Sequence, residues 1–184
     1  MLVVAEREQL PIAQARSGDS EAWDVLYRRY QLPLYVYIFE LVRDEQASLD
    51  LVQETFISAT RYLSTLREDQ RFGSWLFGIA HQKVIQRWRK SGREQLSFEE
   101  LSEDALHEDS TPDDLLIQKE DESRFMALLN ELPPAHRSVL LLHYLEEFSL
   151  EQIAEVTGAS IGTVKSRLHY ARKSLRKLFD SLEL

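Results

Sequence analysis

Residues 132–179 constrain this chain more than any other stretch, because a capped short helix, a glycine-containing turn and a long basic helix follow one another there without interruption. Ser149 followed by Gln152 makes a Ser-x-x-Gln capping box, which opens a short helix through Ile153, Ala154 and Val156. Thr157-Gly158-Ala159 supplies a sharp turn, and Ser160 caps the helix that follows. That order predicts a helix-turn-helix.

Along the second of these helices Ile161, Val164, Leu168, Ala171, Leu175 and Leu178 recur at alternating spacings of three and four, so one stripe faces a core. The other faces carry Lys165, Arg167, His169, Arg172, Lys173, Arg176 and Lys177, with no acidic residue between positions 160 and 179. Such a helix either merely solvates a core or contacts phosphates. The capped helix and turn before it favour contact, with the first turns of the basic helix entering a major groove.

A net charge of -9 argues against nucleic acid until its distribution is considered. Residues 91–124 hold twelve acidic residues against Arg93, Lys119 and Arg124, which accounts for the whole imbalance. The rest of the chain is neutral overall, so it reads as two near-neutral halves with basic faces joined by an acidic tether. Gly92, Pro112 and many Ser and Glu residues break any apolar period in the tether, which is too polar to fold alone.

A length of 184 residues suits one large or two small domains, and 43% hydrophobic content suffices for a core in each. With no cysteine, neither a disulfide framework nor a thiolate metal site is expected, and the chain suits a reducing cytosol. The longest apolar runs, at residues 32–39 and 139–142, fall well below the roughly 18 residues of a membrane span, and the acidic start is unlike a signal peptide. No membrane insertion is expected.

Helical periodicity dominates throughout, and alternating strand patterns are missing, so the expected class is all-α. Helices are expected over residues 6–17, 19–42, 46–64, 72–90, 113–130 and 134–145, followed by the two described above. Pro33 should kink or divide the second, whereas Pro133-Pro134 suits a helix start.

In the first half Gly18-Asp19-Ser20-Glu21-Ala22-Trp23 opens one helix, and Leu41-Val42-Arg43-Asp44 closes one before Asp50-Leu51-Val52-Gln53-Glu54-Thr55-Phe56. Aromatics crowd Phe72-Gly73-Ser74-Trp75-Leu76-Phe77-Gly78-Ile79-Ala80, and residues 81–93 carry Lys83, Arg87, Arg89, Lys90 and Arg93 without an acid. Rings beside a basic face are what single-stranded nucleic acid needs, since bases stack and phosphates require cations. Phe72, Trp75, Leu76 and Ile79 at helical spacing also fit a plain core, so stacking is not assigned to Trp75.

These segments, in this order, resemble the extracytoplasmic-function (ECF) sigma factors, a compact branch of the sigma-seventy family of bacterial RNA polymerase subunits. The motifs at residues 41–44, 50–56 and 72–80 look like the family's region 2. Leu132-Pro133-Pro134, Leu140-Leu141-Leu142-His143-Tyr144-Leu145 and Gly162-Thr163-Val164-Lys165-Ser166-Arg167-Leu168 look like its region 4. The resemblance implies a region 2 domain over residues 1–90, an acidic linker over 91–124 and a region 4 helix-turn-helix domain over 125–184.

The resemblance also implies roles for particular residues. Asp50, Gln53 and Glu54 share a helix face at i, i+3 and i+4, and would dock on the clamp helices of the polymerase's largest subunit. The flap of the second-largest subunit would hold region 4. The loop at residues 66–71 and the following helix would take the non-template strand of the minus-ten element, flipping one base into a pocket. Arg67, Arg71, Gln82, Lys83, Gln86, Arg87, Arg89 and Lys90 would line that path. The chain departs from the family pattern at Gly78, where a basic residue is common, and at Gln82 and Gln86.

Thr163, Lys165, Ser166, His169, Tyr170 and Lys173 would read or grip the minus-thirty-five element, with Arg167 and Arg172 on phosphates. Tyr170 replaces a residue that is often Arg, and a tyrosine cannot clamp guanine bidentately. The linker would thread the RNA exit channel, as an imitation of RNA or as a plain spacer. An anti-sigma protein is the further partner implied, beside core RNA polymerase and promoter DNA.

Two other readings compete with this one. His81, His107, His136, His143 and His169 lack metal-site spacing, and no phosphate-cradling glycine loop or nucleophile motif occurs, so neither catalysis nor a cofactor is expected. A free-standing helix-turn-helix regulator with a sensing or dimerising first half would instead bind duplex DNA unaided. The expected function is that of a cytoplasmic, non-enzymatic promoter-recognition subunit.

Overall fold

The computed structural model describes residues 10–92 and 128–182. Seven α-helices are described: α1 (Ile12–Arg16), α2 (Ser20–Val42), α3 (Glu45–Tyr62), α4 (Phe72–Lys90), α5 (Pro134–Tyr144), α6 (Leu150–Thr157) and α7 (Ile161–Leu182). Short 3-10 turns, Leu63–Thr65 and Asp69–Arg71, carry the chain from α3 to α4. Among the described residues there is no strand, in keeping with the expected class.

Local chemistry sets the helix ends. Asp19 accepts from the Glu21 amide at 2.9 Å and Asp44 from the Ala47 amide at 2.8 Å, satisfying first-turn donors of α2 and α3. Arg43 closes α2 in the left-handed region at φ 58°. The Ser149–Gln152 box is formed reciprocally at 3.2 and 3.0 Å, Gly158 ends α6 at φ 67°, and Ser160 accepts from the Thr163 amide at 3.1 Å. A residue with a β-carbon would be strained at that glycine, so the turn between α6 and α7 depends on it.

Three expectations are corrected. Pro33 does not divide α2, because Leu26, Tyr30, Leu34, Tyr37, Ile38 and Leu41 are buried on both sides of it and hold the helix in one piece. The first helix begins at Ile12 rather than residue 6, with residues 6–9 outside those described. Ile161, expected on the core stripe of α7, is 40% exposed, because the stripe begins one turn later at Val164. Residues 113–127 of the helix expected at 113–130 and nearly all of the acidic linker lie outside the described residues, as does the side chain of Leu178, while residues 128 and 129 are helical.

Helices α2, α3 and α4 pack around Leu34, Tyr37, Ile38, Phe72, Leu76 and Phe77, while α5 to α7 pack around Leu140, Leu142, Ile153, Val164, Leu168 and Ala171. Full burial of each large apolar side chain contributes roughly 1.5–3 kcal/mol. The two groups are continuous in one core. Phe148 meets Phe77 edge-on with ring centroids 5.5 Å apart, and the Tyr37 hydroxyl lies 2.8 Å from the Ser138 hydroxyl. Arg137, buried at the start of α5, donates to the carbonyls of Leu129, Asn130 and Leu132 at 2.7–2.9 Å and to the Glu40 carbonyl at the end of α2.

Candidate nucleic-acid interface

The loop into α4 is held from two directions. Arg16 of α1 donates to the Leu66 carbonyl at 3.3 Å and pairs with Asp69 at 2.7 Å. Arg71 pairs with Glu68 at 3.1 Å and reaches across to Glu155 of α6 at 2.6 Å. Those two carboxylates raise the Arg71 guanidinium above its ordinary value, so it stays cationic. Beneath the loop lies a cavity of about 430 Å³ lined by Leu66, Arg67, Trp75, Gly78, Ile79 and Gln82, with Glu155 and Val156 on its far wall. That volume lies in the range of small-ligand sites.

The aromatic stretch divides between two roles. Phe72, Leu76 and Phe77 are fully buried, while Trp75 and Ile79 are only partly buried and line the cavity. The helix α6 passes close to Gly78, where a β-carbon would stand in ordinary contact, 4.0 Å from the Val156 Cα. Farther along α4, Gln82, Gln86, Arg87, Arg89 and Lys90 are exposed. Lys83 instead pairs with Glu54 at 3.6 Å and is only 19% exposed, and Arg87 lies 4.0 Å from Asp44.

On α3, Asp50, Gln53 and Glu54 are all exposed. Flanking them, the helix also exposes Leu49 (44%) and Ile57 (51%), one turn either side of Gln53. Sequence reasoning missed both, although two large apolar residues at i and i+8 on a polar face were visible as a departure from amphipathic order. The face is therefore mixed, suited to a protein partner.

On α7, Lys165, His169, Tyr170 and Lys173 are exposed, and Thr163 and Ser166 partly so. Arg172 donates to the Tyr144 hydroxyl at 2.9 Å. Arg167, expected on a phosphate, is 7% exposed and turned inward. It stands three residues after Val164 and four before Ala171, so it shares their buried stripe. It lies near His81 and His136, whose pKa values fall through burial and through its charge, His81 to about 4. Both histidines are therefore neutral at pH 7. Among the described residues no group of His, Asp and Glu has the arrangement of a metal site.

Residues 26–94 match the Sigma-70 region 2 family, and residues 122–175 match Sigma-70, region 4. The chain is 30% identical to the RNA polymerase sigma-H factor of Pseudomonas aeruginosa, across 98% of both chains. It is 28% identical to the ECF RNA polymerase sigma factor SigW of Bacillus subtilis, over 93% of this chain and 96% of that one. The fold matches the sigma factor RpoE of Bartonella quintana, solved in complex with the anti-sigma factor NepR, with a TM-score of 0.61 and 27% identity over 85% of this chain and 98% of that chain. Two family regions in order on one chain, and a relative of this identity along nearly its whole length, make the protein a member of the sigma-70 family, in its extracytoplasmic-function branch.

Proposed function

We propose that this protein joins core RNA polymerase, directs it to promoters bearing two recognition elements and helps to open the start site. The observation that carries the reading is the ring-and-cation cavity at the head of α4, followed by an exposed basic run and standing apart from the mixed polar and apolar face of α3. A strand-binding site and a protein-docking site on one small helical unit are what a promoter-opening subunit requires.

In this reading α3 docks on the clamp helices through Gln53 with Leu49 and Ile57 beside it, and Asp50 and Glu54 supply charge. Extruding a stacked base costs a few kcal/mol. The cavity beneath Trp75 and Arg67 receives that base, and Arg89, Lys90 and Arg87 hold flanking phosphates, releasing counterions to offset the cost. Lys165, His169 and Tyr170 face the major groove of the upstream element, with region 4 on the polymerase flap. The protein acts in the cytoplasm without a chemical step of its own. Its charge-rich faces and its likeness to an anti-sigma-bound relative support control by a protein inhibitor.

In vitro transcription with core polymerase and genomic fragments, mapping 5′ ends with and without the protein, tests this. New starts preceded by a shared two-part motif are expected. Duplex binding without polymerase, together with no protein-dependent start, would replace the reading with a free-standing regulator.

A further inference from the structure

Both arginines between residues 161 and 172 are engaged within the fold. Arg167 is buried on the stripe it shares with Val164 and Ala171. Arg172 is tied back to α5, its Nε donating to the Tyr144 hydroxyl at 2.9 Å and its guanidinium lying over that ring at 5.6 Å. A bidentate arginine is the commonest reader of guanine, and neither residue is placed to supply one. Over the same turns Lys165, His169 and Tyr170 stand exposed, with Ser166 partly so.

Tyr170 is held in place by two other rings. It lies nearly parallel to His136 of α5, with 11° between planes and 6.4 Å between centroids, and His169 meets it edge-on at 5.5 Å. Both are arrangements that ring pairs favour. His136 is buried, and among the described residues neither of its ring nitrogens has a hydrogen-bond partner, so the imidazole acts as a flat plate behind the tyrosine. Tyr170 keeps 38% of its surface exposed, one turn after Ser166 on the same side of α7. A ring fixed in advance makes an apolar contact at little cost in entropy. The methyl group that a base pair presents in the major groove belongs to thymine.

We propose that Tyr170, backed by His136, reads a thymine methyl group in the upstream element, so that this protein selects thymine at one position there. The inference rests on the reading of α7 as the helix that enters the upstream element. In it the methyl packs against the ring while the phenol hydroxyl stays in water. His136 touches Tyr170 and not the base, which makes it a positioning residue. Five residues separate Lys165 from Tyr170, about 7.5 Å along the helix. The thymine therefore lies about two base pairs from the pair that Lys165 contacts.

The test uses the full chain assembled with core polymerase. Its template is a promoter recovered by 5′-end mapping, with the upstream element randomised and the productive templates sequenced. The parent is expected to enrich thymine at one position about fivefold. Tyr170→Phe keeps the ring and should keep that preference, whereas Tyr170→Ala should abolish it there and leave the other positions unchanged. His136→Ala should weaken the preference and His136→Phe restore it. On the selected promoter, deoxyuridine in place of that thymine removes only the methyl. It should lower transcription about threefold to fivefold with the parent and not with Tyr170→Ala, and 5-methylcytosine should outperform cytosine at the same position.

Equal transcription from thymine and deoxyuridine templates, or loss of the preference in Tyr170→Phe, would overturn the methyl contact. An unchanged preference in Tyr170→Ala would remove this residue from the readout. Absence of any start that depends on the parent protein would instead strike the proposed function, so the two failures are separable.

Discussion

Arg137 shows how much one side chain contributes to joining the two halves. Its guanidinium donates to four carbonyls, three just before α5 and one at the end of α2. Burial lowers its pKa, yet it remains charged at any ordinary pH. Arg137→Met keeps the stem and takes these donors from the buried carbonyls, so the variant should lose on the order of 3 kcal/mol. A urea midpoint unchanged from the parent would contradict that assignment. Ile57 makes the opposite case, being exposed and without structural work to do. Ile57→Glu should leave thermal stability within about 0.5 kcal/mol and weaken core polymerase binding about tenfold, as a charge placed at an apolar contact does. Equal binding by parent and variant would remove Ile57 from the docking face.

At the scale of helices, α7 divides its basic residues by position around the axis. Lys165 lies exposed at the end that faces the turn, while Lys173 lies two turns farther on. Lys165→Ala is expected to relax sequence preference at the upstream element, and Lys173→Ala to weaken all duplexes alike and flatten the salt dependence by about one unit of slope. Identical salt slopes for Lys173→Ala and parent would exclude a phosphate contact. Caps and stripes made several helices legible in advance: Ser149 and Ser160 cap as their residue type suggests, the segment at Asp19 opens α2, and Val164, Leu168, Ala171 and Leu175 are buried at the spacing that marks them, whereas Asp44, read as the close of one helix, caps the start of the next. These are local rules, satisfied within a turn or two of chain. Arg167 shows their edge, since its charge pointed outward while its position three residues from Val164 placed it on the buried side.

What the sequence left unread belongs to the whole molecule. Tyr37 meets Ser138 across 101 residues and Arg71 meets Glu155 across 84, and no periodicity encodes contacts between halves separated by an acidic segment. The same interface holds two groups whose protonation opposes each other. His81, hydrogen-bonded to the Tyr37 hydroxyl and near the charge of Arg167, has its pKa lowered to about 4 by burial and by that charge, against 6.5 when unfolded. Glu146, facing Arg29 and Glu147, is raised by burial to about 7, against 4.5 unfolded.

Between pH 4 and 6.5 the unfolded chain binds a proton at His81 that the folded chain refuses, so this residue makes stability fall as pH falls. Between pH 4.5 and 7 the folded chain keeps a proton on Glu146 that the unfolded chain releases, so this residue makes stability fall as pH rises. Each slope is at most ~1.4 kcal/mol per pH unit, and over their shared range they cancel. Glu146→Gln should therefore uncover the histidine slope, losing about 2 kcal/mol from pH 6.5 to 4.5 relative to the parent. His81→Gln should uncover the opposite one, falling in stability from pH 5 to 7. Urea midpoints across that range decide the matter. Parallel curves for the two variants would mean that neither group is held in the protonation state the interface imposes.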